Sequence, residues 1–461
     1  MHVRLLKLWD NLRSSYWFIP TLMTIGALAF AVATNVLDAR LGSEWLESVP
    51  WLYASKPEGV RAILSTIAGS MITVAGVAFS ITMVAVVYAS GQYGPRLLSN
   101  FMRDTGNQIT LGTFIATFLY CLQILRSVRN RNEVGGSLFE PLQYEGGFVP
   151  HIGMLGAFAL TLCSIGVLIY FIHHVPGSIH ISNVIGGVGK ELQAHIADRF
   201  PERFGYAAED DADAEVEVPA EFSEDAHCVE ADGPGYIQAI DEEVLLEHAQ
   251  AHDYMLRICC RPGDFVRSGT PLVELHPADV ATDEVSDVIR SAFAWGRRRL
   301  PVQDFMFLVD ELVEIAARAL SPGVNDPFTA TTCLDWLSVG VAAFAARDIP
   351  EARRLDSDGQ LRVLARPVTF AEFVEAAFGQ LRPYVAADRN AALHMLGVLG
   401  GLATSVDDAS RRDILREHAA ALVAAAEETS NDPASLDLIR DRYGEALRML
   451  AGTAAEQPVV S

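Results

Sequence analysis

Residues 16–37, 62–89, 109–125 and 152–172 of this 461-residue chain are four long runs that contain no Asp, Glu, Lys, Arg or His. A helix crossing a hydrocarbon core needs about 20 predominantly apolar residues. Inside lipid the backbone must satisfy its own hydrogen bonds, so such runs are read as helices. The first run has no small-residue cleavage site and three more runs follow it, so it is read as a span and not a signal peptide. Trp9, Tyr16, Trp17, Trp45, Trp51, Tyr88, Tyr93 and Tyr170 lie at the run ends, where amphipathic rings meet headgroups. The expectation is a mainly α membrane protein, a four-helix transmembrane domain followed by a soluble α+β region.

Charge divides the chain in the same way. The net charge of -23 comes mostly from residues after His174, which argues against nucleic acid as a partner, since phosphate binding needs clustered Lys or Arg. The block 207–232 has no Lys or Arg and reads as a solvated linker. The expected organisation is a transmembrane domain (1–176), a juxtamembrane amphipathic helix and acidic linker (177–232), a small β unit (233–280) and a helical soluble domain (281–461). Lys7, Lys56 and Lys190 are the only lysines, a bias that points to a GC-rich bacterium. Basic residues near the spans, with cysteines that look reduced, place the carboxy-terminal region in the cytoplasm of a bacterium and the spans in its inner membrane. The six cysteines form no CxxC pair and have no histidine at ligand spacing, so neither a disulfide framework nor a metal site is expected.

The second run carries the most information. From Ala62 to Ser90 a continuous helix would be about 43 Å long, more than a hydrocarbon core of about 30 Å. Along it Thr66, Ser70, Thr73 and Ser80 fall on one helical face, with Gly69 and Gly76 beside them. Thr110, Thr113 and Thr117 repeat the pattern in the third run. Such hydroxyls serve either helix packing or, around an axis shared by several subunits, a wet pathway for a small ion or solute. No Asp, Glu, Lys, Arg or His lies mid-span, which counts against pumps and proton-driven carriers. At the end of the second run Gln92, Tyr93 and Arg96 are candidates for an interface or gate before Gly94 and Pro95 turn the chain. His173 and His174 are adjacent and point about 100° apart on a helix, so they are interface residues and no chelating pair.

In the remainder, 235–240, 254–260, 265–266 and 272–275 read as strands, and 242–252 as a helix. The wording around Gly263 and Gly269 looks like half of a biotinyl/lipoyl-type barrel, but no lysine is present there to carry a cofactor. Helices are expected at 283–295, 302–320, 327–346, 370–386, 390–404, 411–428 and 436–450, with a hairpin near 359–366. Between the second and third of these, Gly323 ends one helix, and Asp326 caps the next with Pro327 at its first position. Asn325, Asp326 and Thr329 are also the candidate ligand loop, since exposed amides at a helix start attract anions. No Ser/His/Asp order, P-loop, GxGxxG or HExxH occurs in credible context, so no enzyme and no cofactor are expected.

The segments RSSYWFIPTLM, GVAFSITMVAVVYASGQYGPRLL, LGTFIATFLYCLQILRSVR, FIHHV, GYIQAIDEEVL, RPGDFVRSGTPL and ALSPGVNDPFTA together resemble the predicted bacterial membrane proteins grouped as domain of unknown function 2254. Gly94 stands where that pattern has Ser. The resemblance implies membrane residence and a shared architecture, without a reaction or a ligand. The leading functional expectation is a homo-oligomeric passive channel or pore regulated by its cytoplasmic domain. The alternative is a membrane-anchored binding, scaffold or sensor protein without permeation.

Overall fold

The computed structural model describes residues 15–41, 57–94, 104–129, 148–199, 206–207, 222, 226–347 and 352–452. The chain forms two compact units that divide at His180/Ile181.

In the first unit, α1 (Phe18–Leu41), α2 (Pro57–Tyr93), α3 (Thr105–Ser127) and α4 (His151–Ile179) correspond to the four charge-free runs. The central helix is α3, which contacts each of the other three. Its apolar window is 61% buried, against 22–28% for the others. Small residues permit this. A Cβ on Gly112 of α3 would come within 2.6 Å of Met23 Sδ and 3.1 Å of the Pro20 backbone, so α1 and α3 touch nearly backbone to backbone. On α2 the buried line is Val60, Leu64, Ala68, Met71, Ala75, Ala78, Thr82, Val86 and Ala89, a spacing of three and four whose alanines let α3 approach. With 37 residues α2 is about 55 Å long, and Gly94, at φ 119°, ends it in the left-handed region that favours glycine.

The second unit begins with α5 (Ile181–Arg199). The expected amphipathic helix is present, with its apolar face turned to its own unit. Its apolar line, Ile185, Val188, Leu192 and Ile196, is buried against α8 (Met306–Ala319) and α9 (Pro327–Ala345). The short strand β1 (Tyr206–Ala207) follows, then β2 (His227–Glu230), β3 (Gly235–Ile240), α6 (Glu242–Ala251), β4 (Met255–Ile258), β5 (Phe265–Val266) and β6 (Pro271–His276). Next come α7 (Asp283–Ala292) and β7 (Phe293–Gly296). The helix expected over 283–295 therefore stops early, because β7 pairs antiparallel with β3 through Ile237 and Trp295. The hairpin expected near 359–366 is β8 (Arg353–Leu355) with β9 (Leu361–Leu364), and β9 lies parallel to β4.

Two sheets result, β1-β8-β9-β4-β6-β2 and β5-β3-β7. The strands flanking Gly269 and Thr270, β5 and β6, thus belong to different sheets. Of the acidic block, most lies outside the described residues, but its end is stitched into the larger sheet as β2. Phe222 within it is fully buried, with the Arg257 guanidinium 4.5 Å above its ring. The expectation of a solvated linker fails at that point.

The helical part continues with α10 (Phe370–Val374), a π turn (Glu375–Gly379), α11 (Arg382–Val385), α12 (Arg389–Gly401), α13 (Ala409–Thr429) and α14 (Pro433–Leu450). Its core stacks Phe344 on Phe373, ring centroids 4.9 Å apart. By length and composition α9 is a fifth helix apolar enough to cross a membrane. It packs against α5, α8 and α12 of its own unit.

Candidate functional site

The two hydroxyl stripes, alike in sequence, point in opposite directions. On α2, Thr66, Ser70, Thr73 and Ser80 are all exposed. At about 100° per residue they centre opposite the buried line. Each hydroxyl donates to the carbonyl four residues earlier, at 2.8 Å for the first three and 2.9 Å for Ser80. The donor is satisfied within the helix while oxygen lone pairs remain outward. A Cβ on Gly69 or Gly76 would meet nothing within 4 Å, so the described residues leave this face open, with exposed Val77 and Val84 completing the line of hydroxyls at the same spacing.

On α3, Thr110, Thr113 and Thr117 are buried. Thr110 and Thr113 bond back to Gly106 and Ile109, and Thr117 Oγ1 lies 3.0 Å from Ser164 Oγ of α4. All three are turned into the bundle. Of the candidate gate, the side chains of Gln92 and Tyr93 and all of Arg96 lie outside the described residues.

Two polar knots, missed in the sequence, bind the helices near their ends. Asp38 of α1 is buried and its carboxylate accepts the amides of Ile152 (2.8 Å) and Gly153 (2.9 Å), capping α4 from another helix. Beside it Tyr120 Oη donates to the Gly153 carbonyl and lies 3.1 Å from Thr34 Oγ1. At the other end Asp104 caps α3 through the Gly106 amide (2.8 Å) and meets His174 Nε2 at 2.8 Å, and Tyr170 stacks on that imidazole. The adjacent histidines thus do not act together. Along α4, Gly153 and His174 are 21 residues and about 32 Å apart, which matches a hydrocarbon core of about 30 Å. Among the described residues, the Asp, Glu, Arg and His side chains of the unit lie outside the four apolar runs, towards their ends.

In the candidate ligand loop the amides are already used. Asn325 N donates to Ser321 O, Asp326 N to Ala319 O, and the Asp326 carboxylate accepts Thr329 N (3.2 Å) and Thr329 Oγ1 (2.6 Å). Asn325 adopts φ 52° to make this turn. The geometry of these three residues is that of a helix cap.

The second unit also holds a cleft of about 300 Å³ where the β strands meet the helices. Arg261 reaches across it to Glu372 with two parallel bonds of 3.0 Å. The Arg261 guanidinium pulls the Glu372 carboxyl down to about 2. Arg299 is shared by Asp304, at 2.7 Å, and Asp310. Burial raises the Asp304 carboxyl, with Arg299 opposing that shift. Gly263, at φ 100°, lets the loop pass, since a Cβ there would come within 2.5 Å of Asp304 Oδ2. Burial also pushes the Cys260 thiol up to about 12. Arg366 is exposed at the rim. Among the described residues no group of three or more His, Cys, Asp or Glu is placed to hold a metal.

The model of the DUF2254 family, described as a predicted membrane protein, matches residues 13–400. The chain belongs to this family. Uncharacterized proteins of Mycobacterium tuberculosis and Mycobacterium bovis are each 28% identical to it over 456 residues, covering 97% of this chain and 84% of the relative. No solved structure matches the chain significantly. Family membership and the apolar helices agree on a multi-pass membrane protein. The match extends through the cleft and the Asn325 loop as well as the apolar helices.

Proposed function

We propose that the protein is a homo-oligomeric passive channel or pore of the bacterial inner membrane, in which α1 to α4 are the four spans and the α2 face of Thr66, Ser70, Thr73 and Ser80 lines a path for a small ion or solute. One observation carries this reading: the most polar face of the longest apolar helix is the face its own fold leaves open. Lipid suits Val77 and Val84 on this line but offers no partner to its hydroxyl oxygens. Neighbouring copies or water offer one, and outward lone pairs can replace part of an ion's hydration shell. The second unit lies in the cytoplasm and regulates the path. In support of counting α9 outside the membrane, Asp335 on its surface meets His394 at 2.7 Å, a pair at home in water.

The test is ion and osmolyte flux through the purified protein in liposomes, with cross-linking to count subunits. The expected result is flux from an oligomer that Ser70→Leu and Thr73→Leu abolish. Absence of flux, or flux indifferent to both substitutions, removes the pathway.

The cleft favours the alternative, a membrane-anchored binding, scaffold or sensor protein without permeation. In that reading it binds and does not catalyse, because Arg261, Arg299, Glu372 and Asp304 are engaged with one another and the Cys260 thiol stays protonated near neutral pH.

A further inference from the structure

We infer that the loop 321–328 is a membrane-contact element, whose apolar tip of Val324 and Phe328 rests in the headgroup layer of the bilayer. Phe328 is 79% exposed, the most exposed large hydrophobic side chain among the described residues, and Val324 is 46% exposed. The loop around them is held firmly. Val324 N and Asn325 N both donate to Ser321 O, Asp326 N donates to Ala319 O, and Asp326 grips Thr329. With these amides and the carboxylate so used, the loop presents Pro322, Val324 and Phe328 outward, with Asn325 its one exposed polar side chain.

The position of the loop in its unit says what covers it. Helix α5 runs beside α9 in the same direction. Trp336 of α9 lies over Gly186 and Gly189, where added Cβ atoms would come within 3.5 and 2.2 Å of its ring, and one turn on, Leu192 lies 2.7 Å from a Cβ placed on Gly340. Carried back along both helices, this register sets Ile181 level with the first turn of α9, where Phe328 stands. Ile181 follows α4 with only His180 between them. With 29 residues, α4 is about 43 Å long, enough to cross the core and both headgroup layers of a bilayer about 40–45 Å thick. The last span therefore brings Ile181 to the headgroup surface, and within its own unit Phe328 lies level with Ile181. Two apolar side chains would not hold a free protein on a membrane. Tethered by α4, they need no affinity of their own, because the surface is always at hand.

The experiment uses the full chain in vesicles of phosphatidylethanolamine and phosphatidylglycerol. The photoreactive p-benzoylphenylalanine replaces Phe328 in one protein and Ala346, exposed at the far end of α9, in another. Phe328→Ser, which removes no packed atoms, serves as a folding control for the position. After irradiation, intact mass is expected to show the gain of one phospholipid at position 328 and none at 346. A cross-link at 328 only to protein, whether the same chain or a second copy, overturns the assignment. No adduct at 328, or equal lipid adducts at both positions, overturns it too. The outcome is independent of flux, so it stands or falls apart from the channel.

Discussion

The third and second apolar helices carry the same kind of residue at the same kind of spacing and use it oppositely. On α3 the threonines are sealed among three neighbouring helices, whereas on α2 the hydroxyls face away from the other described helices of the unit. Nearly all of them bond back to their own helix, so a hydroxyl's chemistry says nothing about its direction. Direction is set by what stands on the other side. A buried line at every third or fourth residue, with alanines at 68, 75, 78 and 89, draws α2 onto α3, and glycines at 112, 153 and 156 admit neighbouring atoms to within about 3 Å of a would-be Cβ. Hydroxyls in a membrane helix are permissive, and the small apolar residues decide.

The largest expected effect breaks this contrast at its glycines. Gly112→Val must displace Met23 and the Pro20 backbone, and should cost the protein about 3 kcal/mol or more in reversible unfolding from mixed micelles. Gly76→Val enters open space and should change the same measurement by less than about 0.5 kcal/mol. Equal losses at the two positions would mean that α2 is buried in the folded protomer. A smaller effect is read at the threonines, with a near-isosteric change. Thr117→Val deletes the contact with Ser164 and should cost about 1 kcal/mol, while Thr73→Val should leave protomer stability where it was. A Thr73→Val loss as large as that at Thr117 would assign both stripes to packing.

The same distinction explains what could be seen in the chain beforehand. The four apolar helices were legible because a charge-free run in a polar chain has few other uses, and the excess length of α2 could be counted residue by residue. The Asp326 cap was legible because capping is local. The direction of the α2 stripe was not, nor was Asp38, which stands one residue beyond an apolar run and finds its amides at Ile152 and Gly153, more than a hundred positions away. Helical periodicity around Phe293–Gly296 was overridden by pairing with β3, with Gly296 admitting the Gln238 side chain where a Cβ would stand 2.5 Å away. For α5 the amphipathic pattern was correctly seen, but periodicity cannot tell a lipid surface from the side of α9. Long-range partners set each of these, and single-sequence spacing carries no record of them.

The smallest effect comes where polar groups meet in water. In the first unit Asp38 is sheltered by helices, but the Glu372 side chain of the second is 41% exposed, so solvent screens its pair with Arg261. Arg261 holds the folded carboxyl near 2, below its ordinary 4.5. A depressed acid stabilises the fold wherever it is ionised in both states, so its contribution is full above about 4.5, declines as pH falls, and is gone below about 2. Glu372→Gln should therefore cost about 1 kcal/mol at neutral pH, less in high salt, and the gap to the parent protein should close as acid is added. Unfolding of the second unit, followed by the fluorescence of Trp295 and Trp336 across that range, checks the sign. A gap that widens in acid would show that the carboxyl is raised instead, and that burial outweighs the Arg261 pair.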